Sequence, residues 1–138
     1  MSRYRIVLME THAMLRQALR KILEEDGNLE VIREMGNGDE LFEFLECSKR
    51  VPNMVIVDLF ASTLQGVEGM RRLKLLHPKV RVLVLSMYES HEYLHEVLSN
   101  GAEGYLLKKE ANTELFSAIA RIREGGIYLP PLLCGKLM

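Results

Sequence analysis

The sequence predicts an α/β domain in which a parallel sheet is wound by helices on both faces. Short apolar runs alternate with longer segments of helical period along the whole chain. Three of the runs, Ile6–Met9, Met54–Val57 and Val82–Leu85, are apolar on both faces of an extended chain, as in strands covered from each side. No internal repeat or low-complexity stretch interrupts the alternation. Strict succession of β and α elements is the pattern of a doubly wound sheet.

The elements follow in order. Strands are expected at Tyr4–Met9, Leu29–Met35, Met54–Val57, Val80–Leu85 and Gly104–Leu107. The second, broken by Glu30, Arg33 and Glu34, reads as an edge strand. The first helix carries the stripe Met14, Leu15, Ala18, Leu19, Ile22 and Leu23. Asn37, followed by the acidic pair Asp39-Glu40, marks the start of the second, with Leu41, Phe42 and Leu45 inward. Val67, Met70, Leu73 and Leu76 form the third stripe, which Pro78 stops. Leu94, Val97 and Leu98 form the fourth, with Gly101 as its C-terminal stop. Asn112 or Thr113 opens the fifth, which carries Leu115, Phe116, Ile119 and Ile122 and closes at Gly125-Gly126. The tail, with Pro130-Pro131 and no further helical pattern, reads as a linker, so the division is a domain over 1–125 and a linker or truncated start of a further region over 126–138.

The 138 residues suit one domain with a sizeable core, and 48% apolar with 27% charged residues is an ordinary globular balance. A net charge of −1 gives no basic field for nucleic acid or an anionic membrane. The longest apolar runs fall far short of the ~20 residues of a membrane span, and no signal-peptide stretch follows Met1. Cys47 and Cys134 are too few for a disulfide framework or a zinc knuckle. The reading is cytoplasmic.

Open α/β sheets bind ligands in the crevice outside the carboxyl ends of their strands. Those ends here carry Glu10-Thr11-His12 on the first strand, Asp58 on the third, Ser86 on the fourth and Lys108 on the fifth. Each residue alone has an ordinary structural explanation, such as a turn cap or a solvated strand end. An acid, an aspartate, a hydroxyl and a lysine at four strand ends form a constellation.

From about residue 4 to residue 125 the chain resembles a response-regulator receiver domain of two-component signalling. Val55-Ile-Val-Asp58-Leu59 resembles the phosphoacceptor strand, and Val82-Leu-Val-Leu-Ser86 the strand ending in the switch hydroxyl. Gly101-Ala-Glu-Gly-Tyr105-Leu-Leu-Lys108 resembles the segment with the switch aromatic and the lysine. The run from Leu85 to Leu129 resembles the subgroup that precedes LuxR/NarL-type helix-turn-helix domains. The resemblance implies a flavodoxin-like sheet of strand order 2-1-3-4-5 with five helices. It implies that Asp58 accepts a phosphoryl group from a sensor histidine kinase, with Ser86 and Lys108 on the phosphoryl oxygens. Tyr105 would rotate inward as Ser86 shifts. Magnesium would be held by Glu10, Asp58 and the Phe60 backbone carbonyl. The resemblance further implies DNA as a partner only through an output domain outside this chain, and a homodimer through either the fourth helix, fifth strand and fifth helix or the first and fifth helices.

The pattern breaks at three places. Receivers carry two adjacent acids after the first strand; this chain has Glu10-Thr11, and a neutral hydroxyl is a poor magnesium ligand beside a carboxylate. Ala61-Ser62 stand where the family has a Met-Pro pair. Lys109 replaces the proline that often follows the lysine. The metal site is therefore weakened while the acceptor set is intact. The alternative reading is a pseudo-receiver that serves as a phosphorylation-independent interaction or dimerisation module. Enzyme readings are weaker. His91-Glu-Tyr-Leu-His95 satisfies H-E-x-x-H, but Leu98 stands where the extended zinc-peptidase pattern needs glycine. Thr11-His12-Ala13 offers no glycine-rich loop for FMN or a dinucleotide.

Overall fold

The computed structural model describes residues 3–60 and 64–134. Its strands are β1 (Tyr4–Met9), β2 (Leu29–Met35), β3 (Met54–Asp58), β4 (Arg81–Ser86) and β5 (Gly104–Leu107). Between and after them come α1 (Ala13–Glu24), α2 (Gly38–Cys47), α3 (Val67–Leu76), α4 (His91–Ser99), α5 (Ala111–Arg123) and a short α6 (Pro131–Cys134). The strands pair in parallel in the order β2-β1-β3-β4-β5, so the sheet is the expected one and β2 lies at its edge.

The runs that are apolar on both faces become the sheet centre because both faces are covered. Ile6, Leu8, Met54, Ile56, Leu83 and Leu85 pack with Leu19 and Leu23 of α1 and Leu115, Ile119 and Ile122 of α5. Their alternates Val7, Met9, Val55, Val57, Val82 and Val84 pack on the other face against Leu41 and Phe42 of α2, Met70 and Leu73 of α3, and Leu94 and Val97 of α4. Successive strand side chains point to opposite faces, which assigns each residue to its layer. Four residues of the expected stripes leave the core: Met14 is 85% exposed, Leu76 46% and Phe116 39%, and the small Ala18 is exposed too. Met14 and Leu76 lie in terminal turns, and Phe116 is rotated by about 100° from Leu115 on its helix.

Local signals set the helix ends. The Asn37 side chain accepts from the Glu40 N–H at 2.9 Å. His77 leaves the helical region just before Pro78. Gly101 has φ +102°, the left-handed stop that suits glycine, and its N–H closes on Leu98 O at 3.0 Å. Three elements shift by about one residue, and β3 is one of them, running on to Asp58. β4 runs Arg81–Ser86 rather than Val80–Leu85, which makes Ser86 its last residue. α5 opens at Ala111, because a 3₁₀ turn at Lys108–Glu110 leads straight into it.

The tail corrects the sequence reading more substantially. Tyr128 forms a parallel bridge with Gly104, and its N–H donates to Glu103 O at 2.9 Å while its carbonyl accepts from Tyr105 N at 3.1 Å. Leu133, in α6, is 2% exposed and belongs to the core layer of α2, α3 and α4. Helical structure and packed core thus continue past Gly126. A Cβ at Gly104 would stand 2.9 Å from both Ile122 and Leu83 side-chain carbons and 3.2 Å from Tyr128 Cβ, so glycine is what lets the tail approach β5.

Candidate functional site

The carboxyl ends of β1, β3, β4 and β5 bring four predicted residues together. Lys108 follows β5, and its Nζ lies 3.0 Å from Asp58 Oδ2 and 2.9 and 3.1 Å from Glu10 Oε1 and Oε2. Glu10 is fully buried and Asp58 is 7% exposed. Burial would lower the lysine, but hydrogen bonds and charge from Glu10 and Asp58 outweigh it and hold the ammonium above the usual lysine range. Two carboxylates therefore share one permanent cation.

Glu10 is the strand-1 acid that enters the site; Thr11 is exposed. Oε2 of Glu10 accepts from the His12 backbone N–H at 2.9 Å, and the His12 ring lies 3.3 Å away. The Arg16 guanidinium donates to the Glu10 carbonyl at 2.8 Å, fixing the loop from below. Sequence reading missed Arg16, since a polar residue beside an apolar stripe looks like any solvated helix position.

Ser86 is 1% exposed; its Oγ accepts from the Tyr88 N–H at 2.9 Å and lies 2.9 Å from the Tyr105 hydroxyl, to which it donates while Tyr105 donates to the Tyr88 carbonyl. Tyr105 is fully buried, with its hydroxyl also 2.8 Å from the Tyr88 carbonyl, so the inward position expected to follow a shift of Ser86 is the one it occupies. Phe60 donates its N–H to Asp58 Oδ1 at 3.2 Å. Its ring meets Tyr88 edge-on and Tyr93 of α4 at a tilt, with centroids 5.3 and 4.8 Å away, an aromatic group that residues so far apart in sequence do not announce. Ala61 and Ser62, the Met-Pro replacement, lie outside the described residues. Lys109 pairs with Glu89 across the loops after β5 and β4. His91 Nε2 faces the Leu133 carbonyl at 3.2 Å, well inside its own helix–tail contact.

The donor chemistry suits a hard divalent cation. Glu10 Oε1 is buried and accepts no hydrogen bond, although the ammonium lies nearby, and Asp58 adds a second carboxylate. Among the described residues no group of three or more His, Cys, Asp or Glu side chains is placed to share a metal, so only two side-chain ligands are on offer.

Burial, and for Tyr128 also the Glu114 carboxylate 2.8 Å away, raises the phenols of Tyr105 and Tyr128 above the ordinary value of 10.0. The folded state then holds these protons more tightly than the unfolded chain. The associated stability is complete below pH ~10 and is lost as pH rises through the folded values. Urea midpoints measured from pH 8 to 11 are expected to stay flat and then fall above about pH 10, with the fall reduced in Tyr128→Phe.

A five-stranded parallel sheet with an acid, an aspartate, a hydroxyl and a lysine converging at its carboxyl edge is the architecture of a signalling receiver domain. The comparisons agree: the model of the response regulator receiver domain matches residues 6–120, and the chain belongs to that family. It is 31% identical over 137 residues to the transcriptional regulatory protein DegU of Brevibacillus brevis, covering 99% of this chain and 57% of that protein. It is also 31% identical over 137 residues to the oxygen regulatory protein NreC of Staphylococcus carnosus, covering 97% and 61%. The chain thus spans about three fifths of the length of these curated relatives. Among solved structures, the non-phosphorylated receiver domain of the stress response regulator RcsB from Escherichia coli superposes with a TM-score of 0.86 at 25% identity, over 94% of this chain and 99% of that one. The chain is a receiver domain of the LuxR/NarL type of two-component response regulators. No helix among the described residues is long and apolar enough to cross a membrane.

Proposed function

We propose that Asp58 accepts a phosphoryl group from a phosphohistidine of a sensor histidine kinase, and that the domain relays this event to a DNA-binding output domain. The observation that carries the reading is the Lys108 ammonium shared between Asp58 and Glu10. It places a fixed positive charge where a phosphoryl group on Asp58 would develop its negative charge, and such preorganised charge is a large term in phosphoryl transfer.

An Asp58 oxygen attacks phosphorus in line with the departing imidazole nitrogen. The P–O bond forms as the P–N bond breaks, and the imidazole keeps the electron pair and takes a proton from solvent. Lys108 moves its ammonium contact to a phosphoryl oxygen, and Ser86 turns its hydroxyl proton from Tyr105 to another. Glu10, held by the His12 N–H and by Arg16, stays fixed beside them. Mg2+ would be held by Glu10, Asp58 and the Phe60 carbonyl, where it would neutralise phosphoryl charge. Tyr105 reads the displacement of Ser86 through the hydroxyl pair. The setting is cytoplasmic, DNA is reached through a domain outside this chain, and a homodimer fits either proposed helical face. The names of the relatives, regulators of transcription and of oxygen response, support the output.

Beryllofluoride with millimolar Mg2+ tests the reading. Amide NMR signals of Ser86, Tyr88 and Lys108 should shift in the intact chain and stay put in Asp58→Asn. A folded wild-type protein that ignores the mimic would leave a receiver fold without phosphoacceptor function.

A further inference from the structure

The tail crosses the open edge of the sheet beside β5. Tyr128 packs into the α1/α5 layer and Leu133 into the α2/α3/α4 layer, so residues between them pass around the β5 edge from one face to the other. The grip is small. It consists of one isolated bridge, the two backbone hydrogen bonds to Glu103 O and from Tyr105 N, the Tyr128–Glu114 bond, the His91–Leu133 contact, the buried residues Tyr128, Pro130 and Leu133, and the half-buried Leu129. Ile127 and Leu132, each next to a buried residue, stay exposed. Segments held by so few contacts open well below the global unfolding free energy.

The two backbone anchors differ in kind. Glu103 is fixed: its carboxylate pairs with Lys74 and accepts from Val82 N–H, and its own N–H donates to Val82 O. Tyr105 is the responsive one. Its N–H holds the tail, its ring lies in the same layer as Leu133, and its hydroxyl joins Ser86 and the Tyr88 carbonyl. One residue touches the phosphoryl-sensing hydroxyl with its side chain and the tail with its backbone.

We infer that residues 126–134 form a strap docked on the β5 edge, with Tyr105 setting its grip so that drawing Ser86 toward Asp58 loosens it. The inference rests on the acceptor reading only for what draws Ser86. The strap itself needs only the Tyr105 contacts. Ser86 Oγ cannot close on an oxyanion at Asp58 and keep its 2.9 Å distance to the Tyr105 hydroxyl unless the ring follows. Movement of the ring tilts the residue whose N–H holds Tyr128. The surface uncovered is a strand edge flanked by the Tyr128 and Leu133 sites, which takes an extended apolar segment by β-augmentation. The chain's own tail is the occupant.

Amide hydrogen exchange on the intact chain decides this. In Tyr105→Phe the ring stays and both hydroxyl contacts go, so exchange across 126–134 should quicken about fivefold, the factor of one ordinary hydrogen bond. Amides of β1 and β3 should stay as slow as in the wild type, showing that the fold is kept. Beryllofluoride on the wild type should quicken the same segment. Loosening in Tyr105→Phe with no effect of the mimic would keep the strap and remove the acceptor reading. A tail unprotected in the wild type, a tail unmoved in Tyr105→Phe, or protection that disappears on dilution (a strand lent by a second copy) would each overturn the strap.

Discussion

Lys108→Met is expected to lower the stability of the domain by about 3–5 kcal/mol, the range found when one partner of a buried ion pair is removed. For a chain of 138 residues this is a fall in Tm on the order of 10 °C. The methionine keeps the length of the stem but strips the cation from between two carboxylates. One of them is fully buried, and among the described residues neither carboxylate pairs with another lysine or arginine. The size of the loss distinguishes this lysine from the exposed pairs, such as Arg71–Glu68, whose removal should cost ~0.2–1 kcal/mol. Two further measurements pin the cause. Glu10→Gln combined with Lys108→Met should be less damaged than Lys108→Met alone, since the repulsion is relieved. Millimolar Mg2+ should recover part of the loss, because a divalent ion replaces the missing charge. Chemical unfolding of the wild type and the two variants gives the answer, and a loss in Lys108→Met below about 1 kcal/mol would show that solvent already screens the pair.

The parts of this fold that were legible are those where one local rule decides. Val55-Ile-Val cannot sit on a wetted face, so it had to be a covered strand, and the acid that follows it had to emerge at the strand end. Asn37, Pro78 and Gly101 acted as expected because capping and proline geometry depend on a few neighbouring residues. The tail was not legible for the opposite reason. Tyr128 and Leu133 are single apolar residues either side of two prolines, with no period to reveal a buried face, and their partners lie on β5, α4 and α5. Burial there comes from the sheet edge and from the room left by Gly104, which only the assembled domain shows.

At the site, the same division holds between residue type and residue contact. Asp58, Ser86, Lys108 and Glu10 could be picked out because each is a polar group at the end of an apolar run. Which of Glu10 and Thr11 turns inward could not, since adjacent residues at a strand end differ by the direction of one backbone turn. Packing of Glu10 under Lys108, with Arg16 and the His12 N–H holding its backbone and side chain, resolves it. The longer glutamate spans to the lysine while Thr11 remains in solvent.

That arrangement makes Thr11→Asp the informative gain-of-function change. It adds an acid at the neighbouring strand-end position to the two carboxylates, Glu10 and Asp58, that contact Lys108, and so tests whether residue 11 can turn to a bound ion. Without a divalent ion the added charge has only repulsion to meet, screened by its exposure, and should cost about 0.5–1 kcal/mol. With the ion the sign reverses. A carboxylate about 4 Å from a divalent cation gains several kcal/mol at an effective dielectric near 20, from which desolvation and side-chain ordering subtract most. A net gain of ~1.4 kcal/mol is tenfold in affinity, so the Mg2+ dissociation constant should fall at least about tenfold. Thermal midpoints recorded against Mg2+ concentration read both effects at once. The variant should start below the wild type, rise more steeply and cross it. Thr11→Asn, which keeps the shape and omits the charge, should follow the wild-type curve. Parallel curves for Thr11→Asp and the wild type would mean that residue 11 does not face the ion, and that Glu10 alone supplies the strand-1 charge.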